Sequence, residues 1–136
     1  MILLDTNVLS ELLKIRPDPQ VVSRLEQVPI ARRSTASICV MELRYGSALR
    51  ADFATFWQRI EKRLLEGLTI LPVGDREARR AGDILAALRR SGRPCGIEDV
   101  LIAACALSHD ATLVTRNVRH LEQIEGLRVE NWFVPS

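Results

Sequence analysis

Residues 1–12 read MILLDTNVLSEL, and the order of residue types in that stretch decides the fold. Ile2 to Leu4 is a short apolar run that reads as a buried first strand. Asp5, Thr6 and Asn7 follow as a helix-start signal, because short polar side chains accept hydrogen bonds from the unpaired N–H groups of a first helical turn. That helix is expected to run through about Leu13. The same alternation continues along the chain: short apolar runs separated by longer stretches of helical period, the mark of an α/β domain with a mainly parallel sheet.

Pro17 and Pro19 break the chain, and a second helix is expected from about Asp18 to Gln27. A short second strand should lie within Pro29 to Thr35. From Ser37, read as an N-cap, apolar residues recur at Ile38, Met41, Tyr45, Ala48 and Leu49, which is one face of a helix. Phe53, Phe56, Trp57, Ile60 and Leu64 repeat the rhythm until Gly67. Leu68 to Val73 reads as a third strand, with Pro72 implying that it sits at an edge or ends there. Asp75 should cap a helix with Ala78, Ala81, Leu85 and Leu88 inward, closed by Gly92. Ile97 to Leu107 is apolar nearly all round, so that helix should be buried. Thr112 to Thr115 supplies a fourth strand and Leu127 to Val129 a fifth.

The totals agree with one compact domain over residues 1–136, with 47% hydrophobic residues and no repeat or linker. No apolar run approaches the roughly 18 residues of a membrane span. The N-terminus meets an acid at Asp5 before a signal peptide could form, so the expected location is the cytoplasm. Nineteen basic against 17 acidic residues leave +2, too little for charge alone to mark a nucleic-acid binder. Cys39, Cys95 and Cys105 lack the paired spacing of a zinc or redox site and read as small buried hydrophobes.

Three acids carry the chemical argument. Asp5 ends the first strand, and in open parallel sheets ligands gather beyond the carboxyl ends of strands near the point where strand order reverses. It also serves as an ordinary N-cap. Glu42 falls on or beside an apolar stripe, where an ionised carboxylate is costly unless a cation or donors compensate it; the plain alternative is a marginal Glu paired with Arg44. Asp99, beside Glu98, lies in a first helical turn, which the helix dipole favours in any case. What joins them is that helices following parallel strands begin at the carboxyl edge of the sheet. Three converging carboxylates suit a hard divalent cation, Mg²⁺ or Mn²⁺. Such a cation acidifies water and offsets charge on phosphoryl oxygens, so a phosphodiester is a fitting substrate and no nucleophilic side chain is needed. Thr115 and Asn117, after the fourth strand, can hydrogen-bond a carboxylate or a metal's water. Arg116 and Arg119 can hold phosphates, Thr6 and Asn7 are further polar candidates, and His120 reads as a packing or surface residue.

With these residues in view, the chain resembles the PIN-domain family, and within it the VapC-type toxins. MILLDTNVLSEL, VMELRYG around Glu42, GIEDVLIAACAL around Asp99 and ATLVTRNVRHL near the end match in the family's order and span almost the whole chain. The resemblance implies a three-layer α/β/α sandwich with about five mainly parallel strands. It implies Mg²⁺-dependent endoribonuclease action on single-stranded RNA and a homodimeric toxin. A VapB-like antitoxin would cover the active site and bind operator DNA, giving a hetero-oligomer there. The family's acids fall on Asp5, Glu42 and Asp99, with Asp5 and Asp99 as direct metal ligands. A fourth acid, found in many relatives after the fourth strand, is replaced by Asn117 and His120, which leaves one or two metals open.

Other readings compete. A haloacid-dehalogenase-type phosphatase requires an acid at position 7, which is Asn7, and a receiver domain requires an acidic pair that is missing. A PIN-like module that binds RNA or protein without cutting has little reason to retain three acids where a polyanion approaches. A DNA nuclease would use the same carboxylate chemistry. The cationic partner expected in the metal's absence is an antitoxin Arg, with apolar contacts on Leu9, Leu12 or Leu13.

Overall fold

The structure, a computed structural model, describes residues 1–134. A five-stranded sheet, every pairing parallel, is flanked by seven helices. Its strands are β1 (Ile2–Leu4), β2 (Arg33–Ala36), β3 (Thr69–Leu71), β4 (Thr112–Val114) and β5 (Val129–Glu130), in the order β3-β2-β1-β4-β5. The chain therefore builds outward from β1 to one edge, returns, and builds to the other. The reversal falls between β1 and β4, whose register pairs Leu4 with Val114. The residues immediately beyond, Asp5 and Thr115, are thus side by side at the crevice where such sheets bind ligands.

The helices are α1 (Thr6–Leu12), α2 (Pro19–Glu26), α3 (Ser37–Ala48), α4 (Phe53–Arg63), α5 (Asp75–Arg90), α6 (Ile97–Ser108) and α7 (Val118–Leu121). Each follows from a local cause. Asp5 caps α1 through its side chain, and Asp18 caps α2 by accepting from Gln20 N–H with Pro19 at the first helical position. Gly92, at φ +69°, stops α5: its N–H donates to Arg89 C=O while Arg93 N–H donates to Leu88 C=O, the paired closure that a left-handed residue permits. In α6, Val100 and the run Ile102 to Ala106 are all buried, as its all-round apolar sequence requires. Leu3, Leu4, Val8, Leu9, Val100, Ala103, Leu113 and Val114 join in one core beneath the β1–β4 junction.

The structure corrects several expectations. β2 starts at Arg33, because Ile30–Arg32 forms a 3₁₀ turn, and β5 lies one to two residues later than expected. Gly74 rather than Asp75 precedes α5, with its N–H donating to buried Glu77 Oε1 at 3.2 Å; Ala78 is exposed. Ser37 opens α3 from inside the first turn and accepts from Val73 N–H instead of capping. α4 ends at Arg63, ahead of Gly67.

The main correction is the orientation of α3. Cys39, Leu43 and Ser47 face the core, whereas Met41, Tyr45 and Leu49 are 50%, 69% and 72% exposed. The two sets are two positions out of phase, about 200° around the helix, so α3 is apolar on opposite sides. Periodicity permits either face inward, and α1 and α6 select the one with the smaller side chains.

Leu43→Ala is therefore expected to cost about 2–4 kcal/mol in urea unfolding with the slope unchanged. Tyr45→Ala, measured in dilute protein, should stay within about 0.5 kcal/mol. The reverse ranking would mean that α3 is turned the other way.

Candidate active site

Asp5 is held on all sides by short bonds. Its N–H donates to Val114 C=O at 2.9 Å, continuing the sheet ladder by one residue, and it is 4% exposed. Oδ1 accepts from Thr6 N–H at 2.7 Å, and Oδ2 accepts from the Thr115 hydroxyl at 2.7 Å and, more weakly, from the Asn7 amide at 3.5 Å. Capping the helix and facing the crevice are thus one role, since each oxygen serves a different partner. Thr115, fully buried, also accepts from Asn7 Nδ2 at 3.1 Å and from Asn117 N–H at 3.0 Å. Asn7 completes the link by accepting Arg116 N–H on Oδ1 at 3.1 Å.

Glu42 reaches the same place from α3. It is half-buried, and Oε1 accepts from the Thr6 hydroxyl at 2.8 Å. The alternative pairing with Arg44 is absent: that guanidinium stacks on Phe53 and Trp57, 4.5 and 4.8 Å from the ring centroids. Glu42, Asp5 and Cys39 each present a ligand atom within 4.8 Å of the others. Cys39 is a contact that its lone position in the sequence did not reveal. Burial, reinforced by the Asp5 charge, pushes its thiol up to about 11. At neutral pH it is a protonated donor facing Asp5 Oδ1 at 4.0 Å, and not a thiolate.

Asp99 comes from the first turn of α6 and lies outside that tight triplet, yet it shares the same field. Burial raises the Glu42 carboxyl above its ordinary value, opposed by the Thr6 hydrogen bond and reinforced by the charges of Asp5, Glu98 and Asp99. Asp99 is raised by burial and then by Asp5, with His120 acting in the opposite direction and Glu98 adding to the rise. Among the described residues no ion pair involves Asp5, Glu42 or Asp99. The acids are crowded, partly desolvated and without a Lys or Arg partner, and their donors are hard oxygens. The carboxylate oxygens of this set fit a hydrated divalent cation of the Mg²⁺ kind.

The remaining candidates divide. Thr6, Asn7 and Thr115 are knitted into the carboxylate cluster, while Asn117 is exposed, with its backbone engaged. Arg116 is exposed, its guanidinium 3.6 Å from the Phe133 ring centroid and 3.8 Å from Glu11. Arg119 and His120 are exposed on α7, an element too short for periodicity to disclose. Leu9 and Leu13, expected to offer an exposed apolar contact, are core residues at 0% and 8% exposure, and Leu12 packs against that core. Beside the acids lies instead a groove of about 420 Å³ between α1, α3 and α4, lined by Thr6, Glu42 and the half-buried Phe56 and reaching the core residues Leu13, Leu43 and Ile60.

Residues 2–127 match the family model of the PIN domain. Ribonuclease VapC2 of Haemophilus influenzae is 35% identical over 130 residues, covering 96% of each chain. The tRNA(fMet)-specific endonuclease VapC of Salmonella typhimurium is 31% identical over 134 residues, again covering 96% of each. Among solved structures, FitAcB from Neisseria gonorrhoeae superposes with a TM-score of 0.91 at 31% identity, covering 99% of this chain and 100% of that one. DNA-bound VapBC from Salmonella typhimurium superposes with a TM-score of 0.87 at 32% identity, covering 97% and 99%. A carboxylate cluster at the switch point of a parallel sheet and these full-length similarities lead to one assignment: the chain belongs to the PIN-domain family, among its VapC-type ribonucleases.

Proposed function

We propose that this chain is a Mg²⁺-dependent endoribonuclease and the toxin of a type II toxin-antitoxin pair, acting in the cytoplasm on RNA. The observation that carries this reading is the convergence of Asp5, Glu42 and Asp99 with no Lys or Arg paired to them. Asp5 and Asp99 are the direct ligands, with Glu42 completing the charge; Mn²⁺ can substitute. When bound, the cation supplies an acidified water and offsets charge on the phosphoryl oxygens. The chain's own residues fix the frame: Thr6 N–H and Thr115 lock the Asp5 carboxylate, Thr6 Oγ1 orients Glu42, and Asn7 ties the turn after β4 to both. Asn117, in place of a fourth acid, orients water without adding charge, so one metal suffices.

The partner follows from the same electrostatics. In several structural relatives the toxin is solved with its antitoxin, and in some with DNA, as in DNA-bound VapBC of Salmonella typhimurium. For this chain we assign an antitoxin segment to the groove between α1, α3 and α4, with an Arg delivered to the acids at its end, since a planar guanidinium can bridge two carboxylates. The outer apolar face of α3, with Met41, Tyr45 and Leu49, is the surface we assign to a second copy of the chain.

Asp5→Asn and Asp99→Asn should each abolish Mg²⁺-dependent cleavage of labelled single-stranded RNA, and Glu42→Gln should lower it by about two orders of magnitude, all with the fold retained. Full activity in any of them would remove that residue from the site, and RNA binding without cleavage by the unmodified chain would favour a pure binding module.

Stability in the absence of metal should depend on pH in a stated direction. Glu42 and Asp99 have folded values raised above 4.5 and 3.8. Their contribution is therefore fully present below those unfolded values and is lost as pH rises through the raised ones. In chelator, the melting temperature of the unmodified chain should fall relative to that of Asp99→Asn as pH rises from about 4 toward neutrality. A profile unchanged by Asp99→Asn would contradict the crowding.

Antitoxin binding should respond only in part to the same substitutions. Asp5→Asn or Asp99→Asn weakens the Arg contact and spares the apolar groove, so calorimetry should show reduced but persistent affinity alongside lost catalysis. Undiminished affinity would place the inhibitory contact elsewhere.

A further inference from the structure

Glu11 is a buried acid that the acidic site does not use. It lies on α1 at 6% exposure, six residues beyond Asp5, and its carboxylate accepts two hydrogen bonds and faces a guanidinium. Lys14 Nζ and the backbone N–H of Asp18 each approach to 2.9 Å, and Arg116 Nη2 lies at 3.8 Å. The Lys14 bond and the Asp18 N–H hold its carboxyl below the ordinary range against the opposing effect of burial. Lys14 alone could neutralise this charge. The second cation leaves the paired side chains with a net positive charge beside an anionic crevice.

Arg116 is constrained from three directions. Its backbone N–H donates to Asn7 Oδ1 at 3.1 Å, its guanidinium lies 3.6 Å from the Phe133 ring centroid, and Glu11 faces one edge. Its side chain nonetheless remains 54% exposed. A guanidinium has five N–H donors, and the Glu11 edge and the Phe133 face leave several for solvent. Because both neighbours restrict its rotamers, a phosphate that binds there meets a side chain that has already lost much of its freedom. Arg116 directly follows Thr115, the residue bonded to Asp5, so the turn that carries it borders the acidic crevice.

We propose that Glu11 is a positioning residue, holding Arg116 against Phe133 as a preformed phosphate contact for the RNA strand beside the acidic site. The proposal rests on the ribonuclease reading. It also makes a prediction opposite to that of charge alone. Removing an acid near a polyanion's path should tighten RNA binding if only charge matters; removing a residue that positions the phosphate-binding Arg should weaken it.

The test uses a fluorescein-labelled, randomised single-stranded RNA pool with the full chain in Mg²⁺. Binding is read by anisotropy in an Asp99→Asn background, and cleavage is read with Asp99 intact. Glu11→Gln, which keeps the shape of the side chain, should weaken binding by roughly fivefold, with the cleavage loss falling on KM and not on kcat. Arg116→Ala should do the same and lower the salt dependence of binding by about one contact. Arg116→Lys should recover part of the loss, and the Glu11→Gln, Arg116→Ala double variant should be no weaker than Arg116→Ala alone. Tighter binding in Glu11→Gln, additive losses, or a fall in melting temperature with RNA affinity unchanged would each overturn the proposal. Failure of the unmodified chain to cleave the pool would count against the ribonuclease reading, while the anisotropy comparison would still decide the role of Glu11.

Discussion

Like-charge repulsion among Asp5, Glu42 and Asp99 is the constraint on which the rest of this structure turns. A fold gains nothing by placing three carboxylates at one sheet edge, partly out of water, with no Arg or Lys among them. The arrangement persists because each acid is fixed by a separate element whose stability comes from elsewhere. Asp5 is pinned where β1 passes into α1, Glu42 rides on α3, and Asp99 opens the deeply buried α6. The core beneath the β1–β4 junction bears the cost, and a divalent cation removes it.

The supporting polar residues are economical. Thr6 uses its N–H for Asp5 and its hydroxyl for Glu42, so one residue relates two acids from different helices. Thr115 donates to Asp5 while accepting from Asn7 and Asn117, which couples the turn after β4 to the first strand across 110 positions of sequence. Such bonds convert the topology of the sheet into side-chain geometry. They also keep the turn at Asn117 in place without an acid in it.

Much of this was legible in the sequence because local and global signals agree. The apolar run before Asp5, the all-round apolar α6 and the alternation of elements led to a five-stranded parallel sheet and to the expectation that Asp5, Glu42 and Asp99 approach one edge, where Asp5 and Glu42 meet and Asp99 shares their field. The errors have physical causes. α3 carries apolar residues on opposite sides, so periodicity alone could not say which faced inward, and packing chose Cys39, Leu43 and Ser47 over Met41, Tyr45 and Leu49. The contact of Cys39 with Asp5 and that of Thr115 with Asp5 depend on long-range pairing, for which one sequence offers no spacing. Glu11 did carry a signal, since an acid among Val8, Leu9 and Leu12 is the same anomaly that singled out Glu42. α7, with four residues, is too short for any period to register.

The central claim is that Asp5, Glu42 and Asp99 act together as one divalent-cation site. Isothermal titration calorimetry of Mg²⁺ into the unmodified chain, repeated near pH 6 in buffers of different ionisation enthalpy, tests this most directly. The account predicts a single binding event accompanied by net proton release that grows as the pH is lowered, because burial and neighbouring charges raise the Glu42 and Asp99 carboxyls and a bound cation favours their ionised forms. Binding with no proton release, or no binding at all, would contradict it.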